Sequence, residues 1–114
     1  SVEELVDLFL GLSIEMDEAQ RYDELARYNR LFQRNRAVLD ELKRREGDQR
    51  RVLTRFYDHP NLKVRLDAAH ATLAIEPEQA RRIFEAIAQS DRRDYSGDAG
   101  MTLWNLDRGV YKPT

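Results

Sequence analysis

The chain has 114 residues, 41% of them hydrophobic, which is one domain's worth of material with enough apolar side chain to build a core. It has no cysteine, which excludes a disulfide framework, a thiolate zinc site, an iron–sulfur cluster and a cysteine nucleophile together. The net charge of −2 hides a polarity, because residues 1–20 hold six acids and no base whereas residues 21–55 hold eleven bases against six acids. The longest strictly apolar run is Leu8-Phe9-Leu10, far below the roughly 18 to 20 residues of a membrane span, and the first twenty residues lack the basic start of a signal peptide. A single domain over 1–114, cytoplasmic and off the membrane, is the expectation.

Val2, Leu5, Phe9, Leu12, Met16 and Ala19 recur in steps of three and four, which predicts a helix from Ser1 to about Gln20. Ser1 and Glu4 form a capping-box pattern at its start, and Gly11 is the one place where it could break. The stripe Leu25, Tyr28, Phe32, Asn35, Leu39 and Leu42 is out of phase with the first, so a turn is expected near Arg21 to Asp23, then a second helix to about Arg45. Around and within this helix, acids precede bases by four positions at Asp17 and Arg21, Asp23 and Arg27, Asp40 and Arg44, and Glu41 and Arg45. Such spacing favours an internally paired, solvated face over a polyanion site.

Asp48 is suited to cap a short third helix carrying Val52, Leu53 and Phe56, stopped by Asp58-His59-Pro60-Asn61. Asn61 then caps a fourth helix that is apolar nearly all round, the pattern of a helix enclosed by others. Pro77 opens a fifth, with Ala80, Ile83, Phe84, Ile87 and Ala88 as its stripe. The polar stretch Ser90 to Gly97 reads as a loop with Tyr95 exposed on it, and Ser96 or Asp98 as the cap of a sixth helix bearing Ala99, Leu103, Leu106 and Val110. No stretch alternates with period two, so the fold class is all-α: about six helices in three antiparallel hairpins. The third and fifth helices superpose at an offset of 31 and the fourth and sixth at 37, which makes the Ser90 to Gly97 loop a six-residue excess in a hairpin repeat.

The segment His59-Pro60-Asn61-Leu62-Lys63-Val64-Arg65-Leu66-Asp67-Ala68-Ala69 resembles the turn and second helix of a HEAT-type repeat. The resemblance implies a right-handed HEAT/armadillo-like α-α superhelix, with Val64, Ala68, Ala69 and Leu73 as packing positions and Arg65 pairing with a turn aspartate. The place six residues before Arg65 is held by His59, with Asp58 one further back. Through Arg30-Leu31-Phe32, the same segment and Asp98-Ala99-Gly100-Met101, the whole chain is also similar to a family of small uncharacterised bacterial helical proteins with this fold. That second resemblance implies a fold and no established activity, with an association to regulatory or toxin-antagonist proteins.

His59 and His70 are the only histidines and have no metal-ligand spacing, so no metal site is expected. His70 and Asp67 could serve as a base and its orienter, but no nucleophile stands beside them, and no phosphate loop, nucleophile elbow or dinucleotide fingerprint is present. No catalytic residue and no cofactor are therefore assigned. Asp98-Ala99-Gly100 reads as a cap followed by a glycine that permits close packing. A non-enzymatic scaffold that binds another protein is the favoured reading. Its surface combines Arg27, Arg30 and Arg34, then Lys63, Asp67 and His70, then Trp104, Asp107 and Arg108, with Tyr95 on the long loop. Nucleic-acid binding through residues 21–55 is the second reading, opposed by the net charge of −2. An enzyme using Asp67, His70 or Asp107 is the third.

Overall fold

Every element of the computed structural model, which describes residues 1–114, is helical, and no strand forms. The elements are α1 (Val2–Arg21), α2 (Leu25–Arg44), a 3₁₀ helix (Gln49–Phe56), α3 (Leu62–Thr72), α4 (Pro77–Ala88) and α5 (Arg93–Asp107). The chain divides into two compact units, residues 1–53 and 54–114.

In the unit of residues 1–53, α1 begins with a closed capping box. Ser1 Oγ accepts the Glu4 N–H at 3.3 Å and Glu4 Oε1 accepts from the Ser1 nitrogen at 3.0 Å, so two of the donors at the helix start are satisfied reciprocally. The helix runs unbroken through Gly11, which is exposed, and buries Val6, Phe9, Leu12, Met16 and Ala19. The chain reverses at Asp23, whose φ of 54° is a left-handed conformation that a short polar side chain tolerates. On α2 the buried residues are Leu31, Asn35, Val38 and Leu42, while Leu25 is 71% and Phe32 45% exposed. This is a rotation of the expected stripe. Both stripes have helical spacing and share Asn35 and Leu42, so periodicity does not choose between them, and the packing of α2 against α1 does.

Gly47 and Asp48 both have positive φ, of 78° and 50°, and lead into the expected short third helix, which is a 3₁₀ helix. Asp48 still caps it: Oδ1 accepts from the Arg50 N–H at 3.3 Å, and the Arg50 side chain returns to both carboxylate oxygens at 2.9 and 2.7 Å. These hydrogen bonds hold the Asp48 carboxyl below its ordinary pKa. Leu53 and Phe56 are buried, as their spacing predicted.

The unit of residues 54–114 is organised around Phe84. Asn61 Oδ1 accepts the N–H groups of Lys63 and Val64 at 2.9 and 3.3 Å, which starts α3 where its cap was expected. Leu66, Ala69 and Leu73 then pack with Ala80, Phe84 and Ile87 of α4 and Tyr95 and Ala99 of α5, all fully or nearly fully buried. Thr72 Oγ1 donates to the Ala68 carbonyl at 2.8 Å and is held by the Tyr57 hydroxyl at 2.6 Å, so the polar atom inside this face has partners.

Two expectations fail here. The helix α5 starts at Arg93, so Ser90 to Gly97 is not a long loop: only residues 89–92 connect α4 to α5, and Tyr95 is 4% exposed. With the earlier start, α3 and α5 begin 31 residues apart, and Val64, Ala68 and Ala71 lie 31 residues before Tyr95, Ala99 and Thr102, all six buried. The offset of 37 disappears with the loop. Arg65, which the HEAT resemblance pairs with a turn aspartate, instead has its Nε buried without a hydrogen-bond partner, while His59 Nδ1 accepts the Asn61 N–H at 3.0 Å.

Leu73, 2% exposed at the end of α3, is expected to cost about 2 to 5 kcal/mol when truncated to alanine, measured by urea titration. Gly11 points the other way. A Cβ there meets nothing within 4 Å, so Gly11→Ala is expected to raise stability by about 0.5 to 1 kcal/mol in the same assay.

Candidate functional site

The side chains singled out on α3 form a seam toward α5. Lys63, Asp67 and His70 follow at steps of four and three, so they share one side of the helix. Lys63 Nζ lies 2.9 Å from Asp67 Oδ1 and 5.8 Å from the centroid of the Tyr95 ring, with only 7% of the lysine side chain exposed. The Arg92 guanidinium also lies over Tyr95, at 4.6 Å. A desolvated ammonium needs this company, since an unpaired one would cost several kcal/mol. Seven residues along, His70 Nε2 donates to Asp98 Oδ1 at 2.8 Å, and the imidazole meets Phe84 edge-on at 4.8 Å. Asp98 is thus not a cap but a mid-helix acceptor that ties α5 to α3. Partial burial works to raise the Asp98 pKa, but the hydrogen bond and charge of His70 and the nearby Lys63 ammonium outweigh it, and the carboxyl sits below its ordinary value.

Beyond this seam, α5 turns a second face outward. Tyr95, Ala99 and Thr102 point into the unit, so Asp94, Gly97, Met101, Trp104 and Arg108, at steps of three and four, are carried to the outside. Met101 is 60% and Trp104 58% exposed, and the Arg108 guanidinium lies 5.4 Å from the indole. Gly97 and Gly100 have nothing within 4 Å of a Cβ position. The expectation that Gly100 permits close packing is therefore not met inside this chain. Asp107 lies to the side of this face, where Arg81 of α4 holds it at 2.7 Å and also reaches Glu85 at 3.6 Å. A shallow hollow of about 350 Å³ opens beside that pair, floored by Leu73, Pro77 and Leu106.

Arg27, Arg30 and Arg34 belong to the other unit, on α2. Arg27 is surrounded by Glu18 at 3.0 Å, Glu24 at 3.2 Å and Glu15 at 3.7 Å, while Arg30 and Arg34 are exposed. Glu18 and Glu24 raise the Arg27 pKa, the hydrogen bond to Glu18 most of all. Of the four acid-before-base pairs expected around this helix, Asp17 with Arg21 and Glu41 with Arg45 form, at 3.3 and 3.2 Å, and Arg44 also turns to Glu41. Much of the basic stretch is thus neutralised locally.

No group of three or more His, Asp or Glu side chains converges in a metal-ligating arrangement, and no helix is long and apolar enough to cross a membrane. Nothing in the sequence marks Met101 and Asp98 as surface residues, because the helix that carries them starts at Arg93 without a side-chain cap. Once the helix is extended to Arg93, the spacing of Asp94, Met101, Trp104 and Arg108 is itself the signal.

The Asp98 interaction has a testable pH signature. A carboxyl with a lowered pKa in the folded state contributes stability that is complete above its unfolded pKa and is lost as pH falls through the lowered value. Asp98→Asn is expected to cost under about 1 kcal/mol near neutral pH, since the pair is partly exposed, and to flatten the decline of thermal stability on the acid side of the carboxylate range.

Comparison with known proteins places the chain. The crystal structure of the protein RPA1889 from Rhodopseudomonas palustris superposes with a TM-score of 0.97 at 44% sequence identity, covering 100% of this chain and 94% of that one. No curated protein matches the sequence at a significant level. Residues 3–107 match the family described as Domain of unknown function (DUF2019), and the chain belongs to that family.

Proposed function

We propose that this chain is a non-enzymatic, cytoplasmic binding module whose ligand is a protein, and that the outer face of α5 is its contact surface. The observation that carries this reading is the exposure of Met101 and Trp104, at 60% and 58%, side by side on a helix whose opposite side is fully packed. Indole rings are enriched among the residues that dominate protein–protein affinity, and a methionine beside one supplies an adaptable apolar surface. Arg108, stacked on the indole, supplies a charged rim. The titratable groups nearby are engaged with each other: Asp98 with His70, Lys63 with Asp67, and Asp107 with Arg81. That engagement supports a binding role over an acid–base one. The 31-residue recurrence of buried positions between α3 and α5 supports retaining the HEAT-like description as part of the proposal.

Affinity capture on the tagged protein, with and without nuclease, tests it. A protein is expected to be retained after nuclease treatment and lost with Trp104→Ala, which lowers affinity by about 1 to 4 kcal/mol while leaving the circular dichroism spectrum unchanged. Tryptophan emission of the free protein should be that of a solvated indole. A retained partner that is indifferent to Trp104→Ala places the contact elsewhere, and nuclease-sensitive capture points to the basic stretch instead.

A further inference from the structure

The hollow beside Arg81 is built by three helix ends and a turn. Leu73 closes α3, Pro77 opens α4 and Leu106 lies in the last turn of α5. The remaining wall comes from beyond α5. Gly109, at φ 70°, ends that helix with its N–H on the Leu106 carbonyl at 3.1 Å, and the Val110 N–H follows onto the Asn105 carbonyl at 3.0 Å. The chain turns there, and Pro113 joins the lining of the hollow. Leu73, Pro77, Leu106 and Pro113 thus give it an apolar interior of about 350 Å³, at the small end of the range for ligand pockets.

The polar part of the hollow selects the charge of what enters. Glu78 and Arg81 line it, and Arg81 is shared between Asp107 at 2.7 Å and Glu85 at 3.6 Å, so three carboxylates surround one guanidinium. Arg82 stands about 100° round α4 from Arg81, Arg108 is turned to Trp104, and Lys112 adjoins Pro113. With Lys112 counted beside Arg81, the acids still outnumber the bases by one. The helix ends act in the same sense. Two C-termini, of α3 and α5, each carry about half a negative charge, against about half a positive charge at the N-terminus of α4. We propose that this hollow binds an aliphatic stem that ends in a cation, the chemistry shared by an alkylamine and a basic side chain of a peptide. The stem lies on Leu73, Leu106 and the two prolines, and the cation meets Glu78 and Asp107. An anion is disfavoured because Arg81 is already spent on two carboxylates. The site is separate from the outer face of α5 and does not rest on the reading of that face.

Titration of the ¹⁵N-labelled full chain with n-pentylamine at neutral pH, followed by NMR, is the test, with n-pentanoate as the control of opposite charge. Saturable shifts centred on Glu78, Arg81 and Leu106 are expected with the amine, at half-saturation on the order of millimolar, and none with pentanoate. Shortening the stem to n-butylamine should weaken binding by up to about fourfold, the worth of one buried methylene. Glu78→Gln should weaken the amine about threefold. Arg81→Gln should tighten it by a similar factor, because Glu85 and Asp107 are released to the ligand. That gain is not what structural damage produces, and both side chains are accessible enough for the circular dichroism spectrum to stay unchanged. A capped alanyl-lysyl-alanine tripeptide separates the two sources of the cation: binding tighter than pentylamine assigns the site to a basic side chain, and weaker binding assigns it to a free amine. Pentanoate binding as well as the amine does, a linear response to the amine up to about 50 mM, or loss of amine binding with Arg81→Gln overturns the proposal. Trp104→Ala should leave the titration unaltered, so this site and the contact surface on α5 stand or fall separately.

Discussion

Burial of the Tyr95 ring sets the rotation of α5, and most of what this protein offers to solvent in its second unit follows from that rotation. With Tyr95, Ala99 and Thr102 turned inward, the helix can carry Asp94, Met101, Trp104 and Arg108 only on its outer side. The ring is anchored by more than apolar contact. Lys63 and Arg92 both approach it, and Lys63 is in turn held by Asp67, so a desolvated ammonium, a carboxylate and an aromatic quadrupole compensate one another at the junction of α3 and α5. Further along the same seam His70 and Asp98 fasten the two helices a second time. The register of α5 is therefore held jointly by the polar contacts of this seam and by the apolar core around Phe84.

How much of this could be read from residues alone depended on whether the deciding interaction was local. Ser1 with Glu4, Asn61 and Pro77 all act within one turn of a helix terminus, and each marks its boundary to within a residue. The start of α5 is the opposite case. Asp91-Arg92-Arg93-Asp94-Tyr95-Ser96-Gly97 has the composition of a loop, and its N-cap position, Arg92, makes no side-chain cap hydrogen bond, so nothing local announces a helix. What holds it there comes from Lys63 and Phe84, which lie distant in sequence. The rotation of α2 has a related cause: two apolar stripes overlap on one helix, and only the packing of α1 selects Leu31 and Val38 over Leu25 and Phe32. The side chains later placed at the site were legible as residues left out of the stripes. Their division into a buried polar seam and an outward apolar face was not, because it depends on where α5 begins.

The basic stretch illustrates how charge counted along a sequence differs from charge presented at a surface. Its excess of five bases over acids is real, but Arg27 faces three glutamates from α1 and the α1–α2 turn, Glu41 takes both Arg44 and Arg45, and Asp48 takes Arg50. The acidic first helix therefore neutralises part of the second rather than forming a separate patch. Interactions of this kind between exposed groups add little stability individually. Only the pairs of Arg27 with Glu15 and Glu18 cross from α2 to α1, and together these pairs lower the field that a polyanion would feel.

The enclosure of Lys63 also gives the protein an internal chemical reporter. The chain has three lysines, of which Lys43 and Lys112 are exposed while Lys63 is buried against Asp67 and Tyr95. An acylating reagent applied to the folded protein should therefore modify the first two within its ordinary reaction time and reach Lys63 only when α3 and α5 separate. The rate of that third modification, read by mass spectrometry, measures the opening of the seam directly. It does so without a probe being introduced and without unfolding the remainder of the chain.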